Sequence, residues 1–276
     1  MLVFCRVIRY NEKKRTIGKN GMFRKIDFGN RIHEFDFLKG LAVIYMICNH
    51  ILFDFGIAFY SSFIDTPLEG FALFARSVHM SDLSRALTIV LCAGTFIGVS
   101  GALSVVGKRT LREGIFLAVV AAAITAVSRA ASGIMNTRLT IWFGILHLLA
   151  ACMLLSPLLK KIPLPALPFA SVALFAAGLL LKRFVVVSNP FFTVFNCRYY
   201  GFFYADYYPI LPYIGFYLAG IFVGKCFYTD KTGKFPVFGK KIFRPVNFLG
   251  GYSFLVYVIH QPVVYAVVWG LSLILG

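Results

Sequence analysis

Three ionisable side chains, Lys39, His50 and Asp54, lie in a stretch that is otherwise apolar, KGLAVIYMICNHILFD. Lys39 and His50 are eleven residues apart, so a helix would place them within roughly 20° of the same face and about 16 Å apart along its axis. Asp54 follows His50 by four residues and falls on the same stripe. A histidine with a carboxylate one turn away suits proton transfer, and the lysine adds a positive charge three turns away.

This polar stripe would be costly on a helix that faces lipid. Each ionisable group costs about 2.5–3.5 kcal/mol at the bilayer centre. We therefore expect Lys39, His50 and Asp54 to face one internal cavity that opens to the cytoplasm at the Lys39 end. Two alternatives remain open at this point: Lys39 alone can snorkel to the interface, and His50 can make a structural hydrogen bond to a neighbouring helix.

The composition is that of an integral membrane protein. Of 276 residues, 59% are hydrophobic and 14% are charged, and the mean hydropathy is +0.79. A spanning helix needs about 20 apolar residues, and seven windows qualify. We predict an all-α polytopic bundle of about seven transmembrane helices, with the fifth window weakened by the prolines of PLPALPF. The windows are 37–58, 86–106, 112–128, 141–159, 165–181, 210–227 and 252–274.

The basic residues predict the orientation of the bundle. Twenty-one of the 28 Lys and Arg residues lie in the N-terminal segment and alternate loops, and seven lie in the opposite loops. By the positive-inside rule the N-terminus is cytoplasmic and the C-terminus outside, in the plasma or inner cell membrane. The net charge of +17 then reflects orientation beside anionic lipid, so we expect membrane lipid as a partner and no nucleic acid. We expect residues 1–36 to form a basic cytoplasmic tail, residues 37–276 to form one transmembrane domain, and the first span to act as an uncleaved signal anchor.

Other polar positions are candidates for contacts with a substrate. Thirteen of the 27 residues from Phe191 to Tyr217 are Phe or Tyr, and Asp206 lies among them. The segment suits either an aromatic belt at the membrane surface or a wall of a site for a sugar or lipid, with Asp206 as its polar anchor. His147 lies about 10 Å inside its helix, near the depth of His50, and is either structural or part of the site. His260, before Pro262, is expected to satisfy backbone groups.

The six cysteines predict neither a disulfide framework nor a metal site. They contain no CxxC pair, and Cys48, Cys92 and Cys152 are among those that lie within predicted spans. Small residues at helical spacing in two of the spans allow close helix contact and indicate packing. These residues are Gly94, Gly98 and Ala102 in the second span, and Gly220 and Gly224 in the sixth.

Five blocks, from about residue 31 to the C-terminus, resemble in order those of bacterial proteins of the heparan-α-glucosaminide N-acetyltransferase catalytic-domain family. The Lys39-x10-His50 spacing is also similar to the Arg-x10-His motif of the related acyltransferase-3 family. Both families are membrane-embedded acyltransferases that move an acyl group from cytoplasmic acyl-CoA to an acceptor, often a sugar, on the other side. The blocks are RIHEFDFLKGLAVIYMICNHILFDFG, FIGVSGALS, IWFGILHLLAACMLLSPLL, YYPILPYIGFYLAGIFVGK and GYSFLVYVIHQPVV.

The resemblance implies roles for the residues of the polar stripe. Acetyl-CoA would be the acyl donor, and neutral His50 the general base on an amine or hydroxyl of a sugar or glycan acceptor. Asp54 would orient His50, and the family pattern favours Asp36 in the site. The cations that would hold the CoA phosphates are Lys39, Lys108, Arg109 and Arg112.

The resemblance has one departure. In the human-type branch an asparagine matches His50, and the proposed catalytic histidine lies in the following loop. Here that loop offers only His79, at no matching position, so His50 is the preferred base and the heparan substrate does not carry over.

Two other functions stay open from the sequence alone. A multi-pass transporter of a small anionic or sugar-like solute would also keep intramembrane charges, but the spans do not divide into matching halves. A non-catalytic membrane assembly subunit would follow if the stripe is a contact between chains, and the sequence leaves homo-oligomer formation open.

Overall fold

The structure is a computed structural model, and it describes residues 31–107, 110–134, 140–200 and 206–275. Across these residues the chain folds into α-helices and short 3-10 or π-helical turns, and pairing between extended segments is limited to two isolated bridges. The predicted all-α class is therefore confirmed. The helices are α1 (His33–Phe53), α2 (Glu69–Met80), α3 (Asp82–Leu87), α4 (Thr95–Val106), α5 (Thr110–Ile134), α6 (Ile145–Leu159), α7 (Ala166–Phe184), α8 (Ile210–Phe227), α9 (Arg244–Gly251) and α10 (Ser253–Leu275).

Six helical segments of the described chain are long and apolar enough to cross a membrane. They match six of the seven predicted windows and confirm a multi-pass protein. The remaining window, 141–159, corresponds to α6, which is apolar but has 15 residues and is therefore about 22 Å long. The six segments are 33–58, 82–106, 110–134, 166–184, 210–227 and 253–275.

The prolines of the fifth window do not interrupt its helix. Pro165 is the residue that caps the N-terminus of α7, and Pro168 lies in its first turn. The backbone N–H groups of a first helical turn have no partner within the helix, so a proline costs little there. The helix consequently runs unbroken to Phe184.

The chain divides into two compact units. The first contains residues 32–96 and 235–276, and in it α1 packs against α2, α9 and α10. A small apolar core of Phe55, Phe63 and Val268, with two alanines of α2, fills the end near the C-terminal part of α10. The candidate catalytic residues all belong to this unit.

The second unit contains residues 97–234, with α5 packed on α6 and α8 packed on both α6 and α7. Close helix contact at the small residues is present within it, and the structure shows that the two sets meet each other. A Cβ atom on Gly220 would lie 1.9 Å from the carbonyl oxygen of Gly98, and one on Gly224 would lie 2.8 Å from that of Ala102. The second and sixth predicted spans therefore meet backbone to backbone at these glycines.

Two π-helical turns interrupt the first unit's helices, at Asp54–Ala58 directly after α1 and at Thr88–Gly94 directly before α4. In the first of them the backbone N–H of Phe59 donates to the carbonyl of Asp54, five residues earlier, at 2.9 Å. Such turns are rare and often occur at functional sites. The one after α1 begins at a predicted catalytic residue.

Candidate active site

Lys39 and Asp36 form a buried ion pair near the N-terminus of α1. Lys39 Nζ lies 3.2 Å from Asp36 Oδ1, and neither side chain exceeds 4% exposure. An acid in the first turn of a helix is favoured by the helix dipole, and a spacing of three residues places the lysine over it. The snorkelling alternative for Lys39 is therefore wrong, because its ammonium is inside the protein and paired.

Two glycines bring α9 onto this part of α1. A Cβ atom on Gly250 would lie 1.7 Å from the backbone oxygen of Asp36, and one on Gly40 would lie 2.1 Å from that of Val246. Only glycine at both positions allows the two backbones to approach this closely. The contact holds the Asp36–Lys39 pair directly beside α9.

His50 faces α10 and pairs with a second histidine. The rings of His50 and His260 are 4.9 Å apart between centroids and meet edge to face at 62°. His260 is 8% exposed, and its Nδ1 lies 2.7 Å from the carbonyl oxygen of Tyr257. Nδ1 of His50 and Nε2 of His260 are both buried, and neither has a hydrogen-bond partner among the described residues. The predicted base is therefore inside the unit, beside another histidine.

Asp54 is fully buried, and its partner is a glutamine from α10. Gln261 Nε2 donates to Asp54 Oδ1 at 3.2 Å and to Oδ2 at 3.4 Å. We expected Asp54 to orient His50, but within the described chain the carboxylate bonds the Gln261 amide and no hydrogen bond joins it to His50. The prediction assumed that a regular α-helix continues through Asp54, whereas a π-helical turn begins at this residue.

A hydrogen-bonded network from α2 and α3 reaches α1 one residue before His50. His79 Nδ1 lies 3.2 Å from Asn49 Oδ1, which also accepts a bond from Ser84 Oγ at 3.3 Å. The Tyr45 hydroxyl donates to the carbonyl of Ser84 at 2.9 Å. His79 is half-buried against Phe53, and burial lowers its pKa below the ordinary histidine value. It is therefore neutral at neutral pH.

His147 and Asp206, the two candidate acceptor contacts of the second unit, converge on Gly144 at the N-terminus of α6. The Gly144 N–H donates to His147 Nδ1 at 3.2 Å, and His147 Nε2 lies 3.0 Å from Thr125 Oγ1. Asp206 Oδ2 lies 2.3 Å from the point where a Cβ of Gly144 would be. Because both ring nitrogens of His147 are used within the fold, the geometry favours its structural alternative, while Asp206 lies where the helix dipole attracts an anion.

The remaining donor-binding candidates lie at the junction of α4 and α5. Arg112 is exposed in the first turn of α5. Lys108 and Arg109 lie outside the described residues. Across the described part of the chain, no group of three or more His, Cys, Asp or Glu side chains is arranged to hold a metal ion.

The first unit thus assembles groups that accept protons and hydrogen bonds. Because a carbonyl oxygen only accepts, Nδ1 of His260 must carry the hydrogen, and Nε2 is left with a lone pair. Gln261 Oε1 is a third buried atom without a partner among the described residues. The buried Asp54 carboxylate has no cation within ion-pair distance in the described chain. Such a site suits a ligand that is rich in N–H or O–H groups.

Sequence reasoning missed three members of this cluster. His260 was assigned to the backbone, Gln261 was not singled out, and His79 was set aside because it has no match in the family pattern. A signal was present for two of them, since adjacent His and Gln within an apolar span are costly in lipid and mark a functional site by default. No local pattern indicated that they would face His50 and Asp54, about 200 residues earlier.

Comparison with known protein families covers the part of the chain that contains this cluster. The family model described as "Heparan-alpha-glucosaminide N-acetyltransferase, catalytic" matches residues 31–262, which include every member of it. No curated protein and no solved structure matches the chain. The family named by the five sequence blocks is thus confirmed over most of the chain, and the protein belongs to the heparan-alpha-glucosaminide N-acetyltransferase catalytic family of membrane acetyltransferases.

Proposed function

We propose that the protein transfers an acetyl or other acyl group from cytoplasmic acyl-CoA to an amine of a sugar or glycan on the other side of the membrane. The observation that supports this most is the cluster around His50 within a predicted span, where buried nitrogens of two facing histidines lack partners. Leaving a buried polar group unpaired costs about 1–3 kcal/mol. The cost is understandable if the substrate supplies the missing hydrogen bonds.

Asp54 favours an amine over a hydroxyl as the acceptor. Its carboxylate is fully buried and, among the described residues, accepts side-chain hydrogen bonds from the neutral amide of Gln261 alone. An unpaired buried charge is strongly unfavourable, and an ammonium group of the acceptor would neutralise it. The hydroxyl of a sugar would leave that charge uncompensated.

The CoA phosphates would bind the cations at the basic face of the membrane. Arg112 is exposed in the first turn of α5, which we place at that face, and we propose that Lys108 and Arg109 act with it. Lys39 is a less direct candidate, because its ammonium is already paired with Asp36. Its proposed contact with CoA would require a phosphate to share the ammonium with that carboxylate.

The direction of transfer follows from the proposed orientation. The excess of basic residues in the N-terminal segment and alternate loops supports a cytoplasmic N-terminus. The position of the C-terminus depends on α6, since crossing by α6 gives seven spans and places it outside. A reporter fused after Gly276 that is active only in the cytoplasm would contradict the seven-span arrangement.

The test is transfer of labelled acetyl from acetyl-CoA to glucosamine by the purified protein in lipid vesicles. Glucose, which offers hydroxyls alone, separates N-acylation from O-acylation. His50→Ala should lower kcat by about 10² to 10⁴-fold and keep affinity for CoA. Cys48→Ala, at an exposed position two residues away on α1, is the matched control. Acetyl transfer by His50→Ala at the wild-type rate would show that His50 is not the general base. Uptake of labelled sugar into the vesicles without acetyl transfer would favour the transporter function.

A further inference from the structure

His260 is held in one tautomer by its own helix. Its Nδ1 lies 2.7 Å from the carbonyl oxygen of Tyr257 and 3.2 Å from that of Val256. Both oxygens are acceptors, so the hydrogen is on Nδ1 and the lone pair is on Nε2. Protonation of Nε2 would produce an imidazolium whose other N–H is already bonded to a carbonyl. This is the support that an orienting acceptor gives to a catalytic histidine.

His50 lacks that support. Its buried Nδ1 has no partner among the described residues, although its ring lies edge to face with His260. Nε2 of His260 is buried and without a partner over the same part of the chain. The two histidines therefore are not bonded to each other through these atoms, and a donor group between them could bond to both.

An amine acceptor gives two histidines separate tasks. An amine that binds as ammonium must lose one proton before its nitrogen has a lone pair, and a second proton after that nitrogen has attacked the thioester. A single base adjusted for one of these steps is poorly matched to the other, because the two protons leave groups of different acidity. A hydroxyl acceptor would need to lose only one proton.

We propose that His260 takes the first of these protons and so activates the acceptor amine, an inference that rests on the proposed acyltransferase function with an amine acceptor. Nε2 of His260 accepts a proton from the ammonium, and the resulting amine attacks the thioester carbonyl carbon. As the new C–N bond forms and the C–S bond breaks, the second proton passes through His50 to the CoA sulfur. The products are the amide, CoA thiol and one proton, which His260 releases to solvent.

The neighbours of His260 are arranged for this task. Gln261, the next residue, holds Asp54, whose carboxylate would bind the ammonium before it loses the proton. The titratable groups around His260 are His50 from α1, Asp54 from the turn after α1 and Tyr257 from α10 itself, with His79 bonded to Asn49 beyond them. The pH dependence of the variants must therefore be compared with that of His50→Ala.

The experiment compares two acceptors over a range of pH. Glucosamine binds as ammonium at neutral pH, whereas hydroxylamine is already neutral there and has no first proton to lose. His260→Ala should lower kcat/KM for glucosamine by about 10²-fold or more at neutral pH. The deficit should shrink as the pH rises above the pKa of the glucosamine amine. Hydroxylamine should be acylated within a few-fold of the wild-type rate, and His50→Ala should be slow with both acceptors.

Two further variants separate chemistry from folding. His260→Asn keeps an N–H donor for the Tyr257 carbonyl but has no titratable nitrogen, so it should reproduce the profile of His260→Ala while binding CoA normally. Ile259→Ala, at an exposed neighbouring position, should behave as wild type. Equal losses with glucosamine and hydroxylamine at every pH, or wild-type activity of His260→Asn, would overturn the inference. Wild-type protein that acylates neither amine would instead overturn the proposed function.

Discussion

The close crossing of α1 and α9 can be tested by adding one methyl group. In Gly250→Ala the new Cβ would lie 1.7 Å from the carbonyl oxygen of Asp36 and 2.9 Å from the amide nitrogen of Gly40. Cβ atoms essentially never approach closer than 3.0 Å, so the two backbones must part by at least 1.3 Å, the difference between 3.0 and 1.7 Å. Both contacts are with backbone, so no side chain can rotate away.

We expect this overpacking to cost about 1–3 kcal/mol of stability, which corresponds to roughly 2–12 °C in Tm for a domain of this size. The measurement is thermal unfolding in detergent, followed by the fluorescence of the two tryptophans. Gly270→Ala in α10 is the matched control, because its Cβ meets nothing within 4 Å and alanine is the better helix former. CoA affinity should also fall in Gly250→Ala, since the Asp36–Lys39 pair lies at the crossing. A Gly250→Ala protein as stable as Gly270→Ala would refute the close backbone contact.

Three further perturbations test the polar cluster and its supports. Lys39→Ala removes the ammonium that pairs with the buried Asp36 carboxylate and should cost about 3–5 kcal/mol in thermal unfolding. The double change with Asp36→Asn should recover part of that loss, and equal stability of the two proteins would contradict the pairing. Gln261→Leu removes the donor to Asp54 and should raise KM for glucosamine more than KM for acetyl-CoA. An unchanged ratio of the two KM values would show that Gln261 does not contribute to acceptor binding. Burial lowers the pKa of His79, so below about pH 6.5 the unfolded chain binds a proton at this residue that the folded protein does not bind. The free energy of unfolding should therefore fall as the pH falls through that range. His79→Gln should flatten this part of the stability profile, and an unaltered slope would show that His79 does not cause it.

The sequence predicted the helices well because membrane spans depend on length and apolar composition. Close packing at the small residues of α4 and α8 was also predicted, because glycine at helical spacing allows helices to approach closely; that these two helices pack against each other is seen only in the structure. The span that becomes α7 was placed correctly, at 165–181, but was given too little weight, because its prolines were counted against the helix without regard to their exact place in it. Pro165 and Pro168 stand where a helix accepts them.

The candidate site was predictable on α1 and not on the helices that face it. The spacing of Lys39, His50 and Asp54 is local, so periodicity could reveal it. Which residues meet them depends on how distant helices pack, and Gln261 reaches Asp54 across 207 positions of sequence. The Asp36–Lys39 pair differs from this, because the two residues are only three positions apart and the spacing alone allows the contact. The burial of the pair could not be predicted from that spacing.

The π-helical turn from Asp54 to Ala58 has a consequence for the length of the chain at this point. A π turn holds one more residue than an α-helical turn, so it accommodates a built-in insertion that would otherwise rotate everything beyond it by about 100°. Deleting one residue between Ile57 and Phe59 would let the first span continue as a regular helix. Such a protein would keep the following 3-10 turn, and the Phe63 side chain buried there, on the same side of the helix, whereas deletion of a residue within α1 itself would rotate both by about 100°. The first span should consequently tolerate loss of one residue at this turn far better than loss of one residue within α1.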